Sequence, residues 1–234
     1  MSVKRTLVIL TYNEIEATPK VWATIPLNVA GEVFCVDGGS TDGTVEFMRS
    51  KGIRVVPQDR RGRGRGFQIG VREAQGEHIV FFSTDGNEDP ADISKLFAAL
   101  DEGYDMVIAS RMMRGAFNEE DVHWWRPRKW VNNAFTFGAN FFFNRRQSLT
   151  DTINGYRGVA KQAFERMGID ADGFDVEFTM SIRAMKLGLR VAELPTREGS
   201  RIGGVSTAES WTTGVRFVER FLHEIKIGDR FGPS

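Results

Sequence analysis

The chain has 234 residues, 41% of them apolar and 26% charged, which fits one globular domain, or one domain with an added subdomain, and excludes a disordered, collagen-like or mucin-like chain. Its 31 Lys and Arg residues balance 31 Asp and Glu, so no global basic field exists to attract nucleic acid, and no nucleic-acid partner is expected. The single cysteine, Cys35, excludes an internal disulfide framework and a cysteine-built zinc site, and makes the reducing cytoplasm the default compartment.

Lys4 and Arg5 precede a short apolar run, Leu7 to Leu10, which is shorter than a signal-peptide core. No stretch reaches the roughly 18 consecutive apolar residues of a spanning helix. The nearest approach, Ala134 to Phe143, is interrupted by Gly138 and Asn140 and runs out at Arg145-Arg146. The expectation is a chain that does not span a membrane.

The first half alternates. Thr6 to Leu10 is a buried strand, followed by the polar Thr11-Tyr12-Asn13-Glu14 and a helical stretch. Glu32 to Val36 is a second strand, Thr44 to Ser50 a helix, Arg54 to Val56 a third strand and Phe67 to Ala74 a helix. Ile79 to Phe82 is a fourth strand, Asp92 to Leu100 a helix and Met106 to Ala109 a fifth strand. Short apolar strands alternating with helices predict an α/β fold, a mainly parallel sheet covered on both faces. Polar, glycine-rich segments follow strands one, two and four, and ligands of such sheets bind at the carboxyl ends of strands.

Beyond Arg111 the pattern changes. Trp124 to Phe143 is aromatic and basic and reads as one or two amphipathic helices. A strand near Asp151 to Arg157, helices at Lys161 to Met167 and Val176 to Leu187, and a strand at Arg190 to Leu194 follow. Ser200 to Ser210 reads as a loop. From Trp211, the apolar residues Val215, Val218, Phe221, Leu222 and Ile225 recur at helical spacing and predict an amphipathic helix. The expected division is a domain over 1–208 and a C-terminal helix and tail over 209–234.

Three segments carry chemistry. Val36 to Gly43 delivers Asp37 from a strand into a glycine turn, where it could accept hydrogen bonds from a base or ribose. Plain turn chemistry, with Ser40 or Thr41 capping the next helix, explains the same residues. Ser83 to Pro90 places acids and amides at a strand exit; such hard oxygens suit Mg2+ or Mn2+, although acids at a helix start account for Asp89 and Asp92 equally well. Asp59 to Gly66 alternates Arg and Gly, offering amides and guanidinium groups together to a diphosphate, or forming a plain solvated loop. The three histidines, His78, His123 and His223, lack a paired ligand and read as structural or surface groups.

Taken together these segments resemble the inverting family-2 glycosyltransferases of GT-A fold, in particular the dolichol-phosphate mannose synthase-like branch. The resemblance extends from about Thr6 to Ser206. Thr11 to Glu14 matches the family's T/S-Y-N-E segment, Asp37 to Gly43 its V-D-D/G-G-S-T-D-G signature, and Gly62-Arg63-Gly64 through Gly70 its G-K/R-G-x-x-x-x-x-G stretch. Ser83 to Pro90 matches D-A-D-G-Q-H-D-P, with Ser83 where the family has its first aspartate. Asp151 to Arg157 resembles D-x-x-S-G-F-R, Phe174 to Glu177 resembles F-x-x-E, and Arg201 to Ser206 resembles R-x-G-x-S. The Q-x-x-R-W signature of processive synthases is absent.

The resemblance implies a glycosyltransferase using a GDP- or UDP-sugar donor and Mg2+ or Mn2+. It assigns Thr11, Tyr12, Glu14, Asp37, Arg63, Thr84 and Asp85 to the nucleotide-sugar, and Asp85 and Asn87 to the metal. Arg157, Arg201 and Ser206 fall to the acceptor, and Asp175, Glu177 and Arg201 to catalysis. The implied acceptor is a polyprenyl phosphate; a soluble hydroxyl acceptor, or a nucleotide-sugar-binding protein without activity, are the alternatives, with a nucleotidyltransferase behind them. Trp124-Trp125-Arg126, Arg128-Lys129-Trp130 and the final helix would supply anchors for peripheral contact with the inner face of a membrane.

Overall fold

The computed structural model describes residues 4–117, 127–202 and 210–231. Seven strands form one sheet: β1 (Arg5–Thr11), β2 (Glu32–Asp37), β3 (Arg54–Pro57), β4 (His78–Ser83), β5 (Met106–Ser110), β6 (Arg157–Ala160) and β7 (Val191–Pro195). Their order across the sheet is β3-β2-β1-β4-β6-β5-β7. Every pairing is parallel except the two made by β6, which runs antiparallel to β4 and β5. The helices are α1 (Thr18–Trp22), α2 (Thr44–Ser50), α3 (Arg63–Glu73), α4 (Asp92–Asp101), α5 (Pro127–Phe143), α6 (Lys161–Met167), α7 (Val176–Lys186) and α8 (Ser210–Ile227). The mainly parallel α/β architecture expected from the alternation is the one present.

Side chains of a strand alternate between faces, and the core divides accordingly. Val8, Phe34, Phe81 and Ile108 join one buried cluster, with Phe67, Phe178 and Phe217 from α3, α7 and α8. Leu7, Ile9, Phe82 and Val107 join the other, with Met48 and Leu96 from α2 and α4. Strands buried on both faces have no need of polar alternation, so they read as continuous apolar runs.

Two expectations are corrected. The helix expected from Phe67 begins at Arg63, because Gly64 lets its first turn press against the 171–173 segment. There the Gly64 and Arg65 amides donate to the carbonyls of Gly173 (3.1 Å) and Asp172 (3.2 Å), and a Cβ on Gly64 would collide with the Ala171 carbonyl. The strand expected near Asp151 begins only at Arg157. Fully buried Asp151 accepts from the Ile153 and Asn154 amides and from Arg111, and these side-chain bonds hold the backbone in a loop.

The last helix is as expected, and of its five spaced apolar residues only Phe221 packs on the core. Phe217 and Glu224 are buried, whereas Val215, Val218, Leu222 and Ile225 are 42–59% exposed. Glu224 sits wholly inside, bonded to Arg183 (3.0 Å) and Lys186 (2.7 Å) of α7. The α8 backbone is thereby anchored on the same core cluster as α7. Among the described residues no helix is long and apolar enough to cross a membrane.

Candidate active site

β1, β2 and β4 end level with one another: Thr11 lies opposite Asp37, and Leu10 opposite Ser83. The polar segments that follow them therefore meet in one cleft at the carboxyl edge of the sheet. Tyr12, Glu14, Arg61, Arg63, Ser83 and Arg201 are among the residues lining it.

The loops after β1 and β2 are stitched together. Ser40 Oγ accepts the Asn13 amide (2.9 Å), Asn13 Oδ1 accepts the Thr41 amide (2.8 Å), and Thr44 Oγ1 accepts the Glu14 amide (2.9 Å). Ser40 and Thr41 are thus not the caps of α2; its cap position is Gly43, which has no side chain to offer, and Asp42 just before it accepts the Thr44 amide at 3.0 Å. Asp37 is buried, and both its oxygens are engaged, Oδ2 by the Gly39 and Ser40 amides and Oδ1 by the Thr11 and Ser40 hydroxyls. It holds the turn that shapes the cleft floor. Tyr12 faces the cleft with the Arg61 guanidinium 3.9 Å above its ring, a cation–π stack.

Carboxylates crowd the far wall. Glu14 is pushed up to about 8 from 4.5, first by burial and then by the neighbouring Asp85 charge, against the opposing Thr84 hydrogen bond. Glu88, half-buried and facing the same Asp85, is likewise raised well above its ordinary value, chiefly by desolvation, while it accepts the Ser83 amide (2.7 Å). Asp85 is buried; its Oδ2 accepts from Arg201 at 2.6 Å and its Oδ1 from the Asn87 amide at 3.2 Å. Beside it, Asn87 Oδ1 is buried without any hydrogen-bond partner. An orphaned hard oxygen next to a carboxylate fits a divalent cation that takes its remaining ligands from phosphate and water. No group of three His, Cys, Asp or Glu side chains able to hold a metal is found among the described residues.

Arg63 reaches the cleft from α3 and pairs with Glu177 on α7. Burial works against its charge, but Glu177 more than offsets that and keeps the guanidinium firmly protonated. Asp175, one residue before α7, accepts from Arg220 of α8 at 2.9 Å. Both carboxylates expected to act as a base are therefore held by arginines.

Other expected residues lie elsewhere. Arg157 is wholly buried, donating to the backbone carbonyls of Asn154 (2.9 Å) and Glu177 (3.0 Å), so its place is under the site and not at an acceptor. Thr84 is buried between Thr18 (2.8 Å) and Glu14 (3.0 Å) and supports the wall from behind. The Arg/Gly tract does not offer its amides as expected, since those of Gly64 and Arg65 are spent on Gly173 and Asp172; Arg60 and Arg65 pair with Asp172 and Asp59. Ser206, Gly203 to Val205, His123, and the Trp124-Trp125-Arg126 group lie outside the described residues, as does the Arg128 side chain. Arg61, Gln58 and Phe174 also line the cleft, outside the residues assigned above. Arg61 has a signal in the Arg/Gly tract and Phe174 in the F-x-x-E segment; Gln58 has none.

Known proteins similar to this chain point one way. The family description "Glycosyl transferase family 2" matches residues 6–168. The glycosyltransferase AglJ of Haloferax volcanii is 31% identical over 201 residues, covering 84% of this chain; the chain spans 63% of that relative's length. The undecaprenyl-phosphate mannosyltransferase of Micrococcus luteus is 27% identical over 233 residues, 94% of this chain and 86% of that one. Among solved structures, glucosyl-3-phosphoglycerate synthase from Mycobacterium tuberculosis, in complex with Mn2+, UDP-glucose and phosphoglyceric acid, superposes with a TM-score of 0.73 at 17% identity, over 99% of this chain and 81% of that one. At that identity the likeness speaks for the fold, GT-A, alone.

Proposed function

The chain belongs to glycosyl transferase family 2, and on that footing we propose that this glycosyltransferase moves a sugar from a nucleotide-sugar to a polyprenyl phosphate with inversion. One observation carries the choice of acceptor. Asp175 and Glu177, the carboxylates placed to serve a hydroxyl acceptor as base, are each paired with an arginine, while Arg201 lines the cleft. A hydroxyl nucleophile needs a base; a phosphate is already anionic near neutral pH and needs positioning.

In this reading the nucleotide lies along Thr11 and Tyr12, and Arg61 and Arg63 flank the diphosphate. Asp85 and Asn87 would hold Mg2+ or Mn2+, which would supply positive charge to the departing diphosphate. An oxygen of the acceptor phosphate forms the new bond to the anomeric carbon as the bond to the diphosphate oxygen breaks. The electron pair leaves with the nucleoside diphosphate. Arg63, held rigid by Glu177, meets that growing charge without having to reorient, which is where a preorganised guanidinium is most effective.

A lipid acceptor is also in keeping with an apolar face outside the cleft. Phe137, Phe141 and Phe142 of α5 are 73%, 74% and 58% exposed, and Leu222 of α8 is 59% exposed. Phe142 packs edge-on to Phe221, which brings the two helices side by side. Such a surface, on helices too short or too polar to cross a bilayer, can rest in its interface.

The test is transfer from radiolabelled GDP- and UDP-sugars, with Mn2+, to a polyprenyl phosphate and to the corresponding polyprenol. Label on the phosphate alone is the expected result. Transfer to a soluble hydroxyl compound and none to the lipid phosphate would overturn the proposal.

A further inference from the structure

Asp85 faces two claimants. In the structure it is engaged by Arg201, at 2.6 Å, and the backbone around the pair is built to keep the two together. The Ile202 amide donates to the Asp85 carbonyl (2.8 Å) and the Gly199 amide to the Asn87 carbonyl (2.9 Å), strapping residues 199–202 along the 85–87 turn. Ile202 lies against Gly86, which has φ +90°; a Cβ there would come within 2.6 Å of Ile202 Cδ1. The carboxylate is fixed, with 5% of its side chain exposed, whereas the Arg201 side chain is 34% exposed and has solvent to move into.

A guanidinium and a divalent cation on the same carboxylate repel each other, the more so in a poorly solvated wall, so each weakens the other's hold on Asp85. Asn87 Oδ1, buried without a partner, is not reached by Arg201 and is the oxygen a cation would take together with Asp85. Arg201 meanwhile supplies the counter-charge to Asp85.

We propose that Arg201 and the divalent cation are alternative occupants of Asp85, so that loading of the donor side sets the guanidinium free for the anionic acceptor. This rests on the assignment of the cation to Asp85 made above. Arg201 then couples the two halves of the reaction: before the cation arrives it closes the wall, and afterwards it is a charge in search of a partner beside the cleft. The strap through Ile202 and Gly199 keeps it within reach of both positions.

The experiment is Mn2+ titration of the nucleotide-free protein, followed by electron paramagnetic resonance, for wild type, Arg201→Ala, Arg201→Lys and Asp85→Asn. Arg201→Ala should bind Mn2+ about tenfold more tightly than wild type, the factor expected if the ion pair leaves Asp85 open one part in ten. Arg201→Lys should lie between, which also guards against an alanine variant that folds poorly. An unchanged Kd in Arg201→Ala overturns the proposal while leaving Asp85 as the cation site, provided Asp85→Asn has lost Mn2+. Wild-type Mn2+ binding in Asp85→Asn overturns both. In a second measurement, Mn2+ should tighten the binding of farnesyl phosphate to wild type and not to Arg201→Ala; equal tightening in the two would overturn the coupling.

Discussion

Arg63 of α3 donates its Nε–H to Glu177 Oε1 of α7, and the two side chains meet over Gly155, where no side chain intervenes. The glycine belongs to the loop that leads into β6. A Cβ on it would collide with the Arg63 guanidinium and come within 2.7 Å of the Glu177 oxygen. Three distant pieces of sequence thus fix one cationic group at the cleft.

Gly155→Ala should therefore damage the site from behind, by pushing Arg63 out of place. The intruding methyl group is expected to cost about 1–3 kcal/mol of stability, the usual penalty of overpacking. It should also weaken nucleotide binding by displacing Arg63. Urea unfolding and calorimetry with GDP and UDP check both; an alanine variant with wild-type nucleotide affinity would mean that Arg63 does not contact the nucleotide.

Glu177→Gln separates a base from a positioning residue. If Glu177 holds Arg63, the variant leaves a largely buried guanidinium unpaired and should lose about 3–5 kcal/mol of stability. Donor affinity should fall with it. A variant of full stability and full donor affinity that no longer transfers would instead make Glu177 the base.

Glu14 makes stability depend on pH. Its folded value, about 8, lies above its ordinary 4.5, so between those limits the folded protein binds the proton more tightly than the unfolded chain. The Glu14 contribution is therefore fully present below about 4.5 and is lost as pH rises through about 8. Glu14→Gln, which cannot ionise, should gain on the order of 3 kcal/mol over wild type at pH 8.5 relative to pH 5. Parallel urea midpoints for the two proteins across that range would count against the assignment.

Glu224 locks α8 onto α7. Glu224→Gln would leave Arg183 and Lys186 buried with one carboxylate fewer, at a cost of about 3–5 kcal/mol. The expected readout is faster proteolytic cleavage near α8. Because Arg220 of the same helix holds Asp175, the segment carrying Phe174 at the cleft should loosen too.

Phe141→Ser with Leu222→Ser tests the apolar face. Both side chains are mostly exposed, so stability should change by less than about 1 kcal/mol. Sedimentation with anionic liposomes at low salt should fall severalfold. Unchanged sedimentation would put the apolar face aside as a lipid contact.

Much of this protein was legible in one dimension. Short apolar runs with polar, glycine-rich exits imply a parallel sheet and a cleft at its carboxyl edge, because strands buried on both faces must be apolar along their length. The segments Thr11 to Glu14, Asp37 to Gly43 and Ser83 to Pro90 are local, and each reaches the cleft on its own strand. Side-chain partnership is a different matter. Asp37 looked like a ligand group and proves to be engaged with its own turn; Arg157 looked like an acceptor contact and lies buried at the start of β6, bonded to the Glu177 carbonyl of α7. The α8 spacing gave a helix but not its orientation, since Glu224 takes the buried place that an apolar residue would be expected to fill. A charged group's role depends on which opposite charge reaches it, and Arg63 with Glu177, Arg220 with Asp175 and Arg201 with Asp85 stand 114, 45 and 116 positions apart. Local propensity and hydrophobic period carry no information over such separations. The chain by itself determined the sheet and the cleft; only folding decided which charges face it.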